Sequence, residues 1–248
     1  MRTFAVMLLL VIGCQAPPQT KKATPDVKPE TPATKDVVTE TKQKPPVTPP
    51  QPTPIETVTK TVTPKPTIEG NPIFGLGWGM TPDQIQMLVP NMTLTEDGPV
   101  LKVYSATELP KGISGFNSYL LLFSKTYGLV KVVAIGDRFT SDSFGTSGKA
   151  AFDKITTVLA KKYTKTNGSR AIFMKLYTDA DEFYQCLSHD GCGFWIDIYE
   201  AEDRAIMLRL EGAYREGYLS ITVEGVPGME NTIKEKTKYD NNSAAEAL

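Results

Sequence analysis

The sequence predicts an α+β domain, an antiparallel sheet with about two helices packed on one face, preceded by a disordered tether rich in Pro and Thr. Three observations lead there. Most of the 19 prolines fall before residue 67, in a stretch from Gln15 onward that holds no aromatic residue. After residue 70, short apolar or alternating runs recur between polar turns, the pattern of antiparallel strands. Only two segments among them carry helix signals, a capped start at Thr81 and an apolar spacing of three and four after Ser147.

The chain opens with Arg2 and the apolar run Phe4 to Ile12, followed by Gly13 and Cys14. The run is far shorter than the roughly 20 residues a membrane-spanning helix needs. With its positive flank it reads as the core of an export signal over residues 1–13. Val11-Ile12-Gly13-Cys14 resembles the bacterial lipobox, in which the small residue admits the processing peptidase and the cysteine thiol is acylated. The resemblance implies a mature lipoprotein that begins at Cys14 and is held to a membrane by acyl chains such as palmitate, at about 0.8 kcal/mol per buried methylene. Gln15 rather than Asp follows the cysteine, which implies delivery to the outer membrane in a Gram-negative host.

Residues 14–69 are then the acylated cysteine and its tether. Pro, Thr, Lys, Val and Glu cannot bury enough apolar surface to offset the entropy of ordering. Lys44-Pro45-Pro46-Val47-Thr48-Pro49-Pro50-Gln51-Pro52 favours polyproline II, so the spacer reaches from about 40 Å as a coil to about 150 Å when extended. Residues 70–239, roughly 170 in all, suffice for one core and not for two. Residues 240–248 are small and polar and read as a frayed tail. A net charge of −1 offers no basic field for nucleic acid.

Within the domain, Phe74 to Trp78 reads as a short strand. A helix follows with Thr81 as N-cap, Pro82 at the first position and Gln84 completing a capping box. It turns Ile85, Leu88 and Val89 inward and stops at Pro90. Leu101 to Ala106, Ser118 to Ser124 and Leu129 to Ile135 read as strands, the last two joined through Lys125-Thr126-Tyr127-Gly128. Ser147 to Tyr163 is the clearest helix, with Phe152, Ile155, Leu159 and Tyr163 on one face, and Asn167-Gly168 ends that unit. Ala171 to Tyr177, Phe194 to Tyr199, Ala205 to Leu210 and Tyr218 to Val223 complete the sheet. The imperfect alternation of Ile206 to Leu210 places its strand near an edge.

Cys186 and Cys192 face an oxidising compartment after export and read as a structural disulfide closing a short glycine-containing loop. Cys186, His189 and Cys192 also have metal-ligand spacing, but no second ligand pair completes a zinc site. Ser188-His189-Asp190 holds the residue types of a hydrolase triad, yet adjacent side chains diverge. Carboxylates cluster at Asp179, Asp181 and Glu182 and again at Glu200, Glu202 and Asp203. Both clusters fall in turns, where solvation explains them better than acid–base catalysis across a cleft. Gly75, Gly77 and Gly79 precede a helix, but Pro82 and the lack of a βαβ pattern argue against a dinucleotide site. No catalytic residue, metal or cofactor follows from these patterns. Trp78, Tyr184 and Trp195 are candidates for a binding surface, with core packing as the plainer account. The Trp195 ring could pack on the disulfide.

Trp78-Gly79-Met80-Thr81-Pro82-Asp83-Gln84-Ile85 resembles the opening of small bacterial envelope modules. Among them are the small lipoprotein of the outer-membrane β-barrel assembly machine and the β-lactamase-inhibitor repeats, in which Gly-Met-Thr introduces the first helix. Taken with Tyr184-Gln185-Cys186-Leu187 and Gly191-Cys192-Gly193-Phe194-Trp195, the chain is similar to bacterial lipoprotein or periplasmic domains of unassigned function. The resemblance implies an address in the cell envelope and a fold, and no activity. The expectation is a membrane-anchored, non-enzymatic module that binds an envelope protein or a cell-wall component. The alternative is an envelope hydrolase that attacks wall glycan or peptide through carboxylates dispersed in the sequence. A passive spacer at the cell surface is a third reading.

Overall fold

The computed structural model describes residues 72–172, 176–177 and 179–246; Cys14, the signal and the tether lie outside them. The described residues form an α+β domain around one antiparallel sheet. Its strands are β1 (Thr93–Asp97), β2 (Leu101–Ala106), β3 (Phe116–Ser124), β4 (Gly128–Gly136), β5 (Thr164–Ile172), β6 (Gly193–Glu200), β7 (Arg204–Ala213) and β8 (Glu216–Gly225). They lie in the order β1-β2-β3-β4-β8-β7-β6-β5. Four helices accompany them: α1 (Pro82–Gln86), α2 (Thr146–Ala160), α3 (Phe183–Ser188) and α4 (Val226–Glu246).

The order exposes two equivalent halves. Each is a helix followed by four antiparallel strands, α1 before β1 to β4 and α2 before β5 to β8, with α3 inserted between β5 and β6 in the second half. The last strands of the halves pair antiparallel at the centre, with Val133 opposite Thr222. The first strands become the two outer edges. A two-fold axis through the middle of the β4–β8 ladder, normal to the sheet, would exchange the halves. Both edge strands carry a register shift, between Leu94 and Glu96 in β1 and between Lys165 and Asn167 in β5.

α1, α2 and α3 share one face. The buried residues there include Ile85, Leu121, Phe123, Val132, Phe152, Leu208, Leu210, Ile221 and Val223, with Ile155, Leu159 and Tyr163 packed around them. The predicted capping box is present: Thr81 Oγ1 accepts from Gln84 N–H at 3.3 Å while Gln84 Oε1 accepts from Thr81 N–H at 2.9 Å. α4 crosses the opposite face, where Gly228 lies against Val130. Val103, Leu122, Val130 and Met229 are buried there, separate from the main cluster.

The count of about two helices on one face therefore omits α3 and α4, and several boundaries move. Phe74 to Trp78 is not a strand. Ile73 and Leu76 exchange both backbone hydrogen bonds at 2.8 Å around Phe74 and Gly75, both with positive φ (49° and 82°). A phenylalanine accepts that left-handed backbone because its ring is buried edge-on against Tyr119, 5.9 Å between centroids. α1 ends at Gln86, before Pro90, and a strand that the sequence reading passes over, β1, follows. Asn167-Gly168 lies inside β5, which begins at Thr164 and replaces the strand expected from Ala171. β7 stands third from the edge and is buried on both faces, which is why its alternation is imperfect. Residues 240–246, expected to be frayed, belong to α4.

Candidate functional site

α3 and its flanks gather a cluster of polar and charged side chains. Asp179 and Glu182 form a reciprocal capping box, with the Glu182 carboxylate accepting from Asp179 N–H at 3.1 Å. The box starts a single 3-10 turn, Ala180–Glu182, that runs into α3. In α3 four successive residues, Phe183, Tyr184, Gln185 and Cys186, are buried. Such a run has no amphipathic period because this part of the short helix is packed between the α2 N-terminus and the end of the β7–β8 hairpin.

Tyr184 is the pivot of this corner. It is fully buried, so it packs inside the domain and presents no binding surface. Its hydroxyl donates to Asp142 Oδ2 at 2.8 Å, and the same carboxylate accepts from Ser147 N–H at 3.1 Å and Gly148 N–H at 3.0 Å. Gly145, just before α2, has no capping side chain, so Asp142 satisfies the free N–H groups from three residues upstream of it. Burial pushes the Asp142 pKa up, but the two N–H donors and the Tyr184 hydroxyl together outweigh it and hold the carboxyl below its ordinary value. Burial, and then the bond to Asp142, push the Tyr184 hydroxyl well above its ordinary value. The neighbouring Phe183 ring carries the Lys149 ammonium 3.9 Å from its centroid and meets Trp195 edge-on at 5.6 Å.

Cys186 and Cys192 are bonded, as the sequence reading expects, with sulfurs 2.11 Å apart. Trp195 packs edge-on against Phe183, and Gly193 lies against the disulfide, where a Cβ would stand 3.2 Å from Cys186 Sγ. His189 is exposed and meets Tyr177 edge-on, 5.9 Å between centroids. A sequence separation of 6 makes the closed loop small. Replacing both cysteines by Ala should therefore lower stability by about 2 kcal/mol, read as a shift in the denaturant midpoint. An unchanged midpoint would show that the α3 corner holds without its bond.

Beside this corner opens a cavity of about 340 Å³. Asp179, Asp181, Glu182 and Gln185 line it from the α3 side, and Tyr177, Tyr214 and Arg215 complete the wall. The first carboxylate cluster is thus drawn to one cavity. Arg215 reaches Asp181 Oδ2 at 2.8 Å from the two-residue turn between β7 and β8, where its own φ is 56°. Gln185 is 8% exposed and its Oε1 has no hydrogen-bond partner.

In the second carboxylate cluster, Asp203 serves the fold. Asp203 grips the wholly buried Arg204 through Nε at 2.8 Å and Nη2 at 2.5 Å, and the guanidinium beside it holds its carboxyl below the ordinary range. Trp78 is half-buried, its ring 5.9 Å from that guanidinium and close against Gly225. Sequence patterns also pass over Asp197, buried between Lys165 Nζ at 2.6 Å and Arg170 Nη2 at 3.2 Å and accepting from Thr156 Oγ1 at 2.8 Å. It fastens α2 to β5 and β6. Among the described residues, no group of three or more His, Cys, Asp and Glu could hold a metal ion. No family model matches this chain, and no curated protein or solved structure matches it either.

Proposed function

We propose that this chain is a lipid-anchored protein of the cell envelope whose domain binds a partner rather than transforming a substrate. The observation that carries the reading is the Cys186–Cys192 bond, which suits an oxidising compartment. It agrees with an apolar leader ending at Cys14 and with the Pro/Thr-rich spacer behind it. Acyl chains on Cys14 would supply the attachment, in the outer membrane if the host is Gram-negative; no helix among the described residues is long and apolar enough to cross a membrane. The partner is an envelope protein or a wall component.

Binding is favoured over hydrolysis because the cavity carboxylates already have structural partners. Asp181 holds Arg215, and Glu182 accepts the Asp179 N–H. A second reading has one observation in its favour, that three carboxylates line a single cavity. Turnover of wall glycan or peptide by the purified chain, abolished by Asp181→Asn, would install that hydrolase reading instead.

Fractionation of the host tests the anchor. Cys14→Ala should move the protein from the detergent-extracted membrane fraction to the soluble one and remove its acyl-dependent mass. Retention in the membrane would refute the anchor. Crosslinked envelopes should yield a partner with the intact chain and none with a version lacking residues 70–239.

A further inference from the structure

We propose that the cavity beside α3 binds an organic cation bearing N–H donors, an alkylammonium or guanidinium such as the side chain of a lysine or arginine. The proposal rests on the reading of the domain as a binding module and names what one site on it takes.

Four observations converge. First, the polar wall is rich in acceptors: three carboxylates, Asp179, Asp181 and Glu182, line it with one guanidinium, that of Arg215, which pairs with Asp181, leaving negative charge in excess. Second, Gln185 Oε1 is shut away from water without a donor. An unpaired buried acceptor is costly, and the loss is recovered when the Gln185 side chain turns its amide oxygen toward an N–H group held in the cavity. Third, Arg215 already sits at the rim with its guanidinium on Asp181. It is half-exposed on a turn, so it acts as a displaceable internal copy of the ligand. Fourth, Tyr177 and Tyr214 line the same space and offer the aromatic faces that attract cations.

Size and geometry narrow the class. A volume of about 340 Å³ lies at the small end of ligand sites, enough for one side chain or a small diamine and too little for a polymer segment. The carboxylates do not converge as ligands of a metal ion. An ammonium or guanidinium accepts partners spread around it, whereas a divalent cation requires oxygens gathered within a few ångströms. The cation can arrive on a peptide or as a free amine, and the two sources present the same chemistry to the cavity.

Calorimetric titration of the full chain in detergent micelles tests this, with N-acetyl-lysine methylamide, N-acetyl-arginine methylamide and 1,5-diaminopentane as probes. N-acetyl-norleucine methylamide and calcium chloride are the controls. Saturable binding of at least one amine probe, with none of norleucine, is expected. Asp181→Asn and Gln185→Met should each weaken it about tenfold, the worth of one hydrogen bond to a charged group. Arg215→Ala should strengthen it about threefold by removing the internal competitor. Tighter binding of the acylated lysine or arginine than of the diamine would assign the source to a peptide, and the reverse to a free amine.

No saturable amine binding by the folded chain would overturn the proposal. So would equal binding of norleucine, preferential binding of calcium, amine binding indifferent to Asp181→Asn and Gln185→Met, or weakening by Arg215→Ala. Melting curves of each variant separate a lost site from a lost fold. A partner captured through the domain while no amine binds would overturn this proposal alone and leave the binding-module reading intact.

Discussion

Tyr184→Ala should destabilise the domain by about 4 kcal/mol, the cost of emptying a fully buried aromatic site, and lower its melting temperature by roughly 10–15 °C. Two losses combine. The ring vacates the space between α2, α3 and the β7–β8 hairpin, and Asp142 loses the hydroxyl that donates at 2.8 Å. Tyr184→Phe isolates the second loss and should cost about 2 kcal/mol, as expected for a hydrogen bond to a carboxylate. That difference depends on pH in a definite sense. The Asp142 pKa is lowered in the folded chain, so its stabilisation is complete above the unfolded carboxylate value of about 4 and disappears as pH falls through the folded one. Removing the hydroxyl raises the folded value. The gap between wild type and Tyr184→Phe should therefore be widest near neutrality and close on acidification below pH 4. Denaturant titrations at pH 7 and pH 3 measure it, and an equal gap at both would show that Asp142 is not the partner that matters.

Gly217→Ala should cost at least 3 kcal/mol, the upper range for overpacking. A Cβ at that position would stand 1.9 Å from Tyr184 Cε1 and 2.4 Å from Cδ1. The ring has little room to retreat, since Gly148 is pressed against its hydroxyl end and Gly212 against the Tyr184 backbone carbonyl. The same substitution in a Tyr184→Ala background should cost about 1 kcal/mol or less, a coupling of about 2 kcal/mol between the two sites. Additive effects across that cycle would mean that the glycine answers to something other than the ring. The pair thus tests whether the corner under the cavity is rigid enough to hold Gln185 and Asp181 in place for a ligand.

What could be read from the sequence and what could not follows from burial. β2, β3, β4, β6 and β8 were legible because each buries side chains against a helix-covered face, and α2 because Phe152, Ile155, Leu159 and Tyr163 keep one stripe. β1 has every residue exposed, and the first seven residues of β5 are exposed too. Such strands have no inward apolar set to alternate with the outward one, so backbone pairing and ion pairs such as Lys165 and Arg170 with Asp197 define them. α4 buries only Met229 and Thr232, too sparse a stripe to rise above a polar background. The cavity was illegible for a different reason. Its parts were visible as a carboxylate cluster and a polar loop 36 residues apart at their extremes, Asp179 and Arg215, and only the folding of α3 against the end of β7 brings them together.

If the chain is lipid-anchored as proposed, the two edges of its sheet matter. Proteins fixed to one surface through lipid would meet one another far more often than the same molecules dispersed in solution, and an open sheet edge is the feature through which they would polymerise. Here each edge strand is interrupted by its register shift, which breaks the regular row of unpaired backbone groups. β1 ends in Glu96 and Asp97, and β5 carries Lys165 beside its shift. A flat neighbouring strand would find neither a straight ladder nor an uncharged one. Crowding would therefore press these domains together without stitching them into a fibre, and their exposed edges could stay bare.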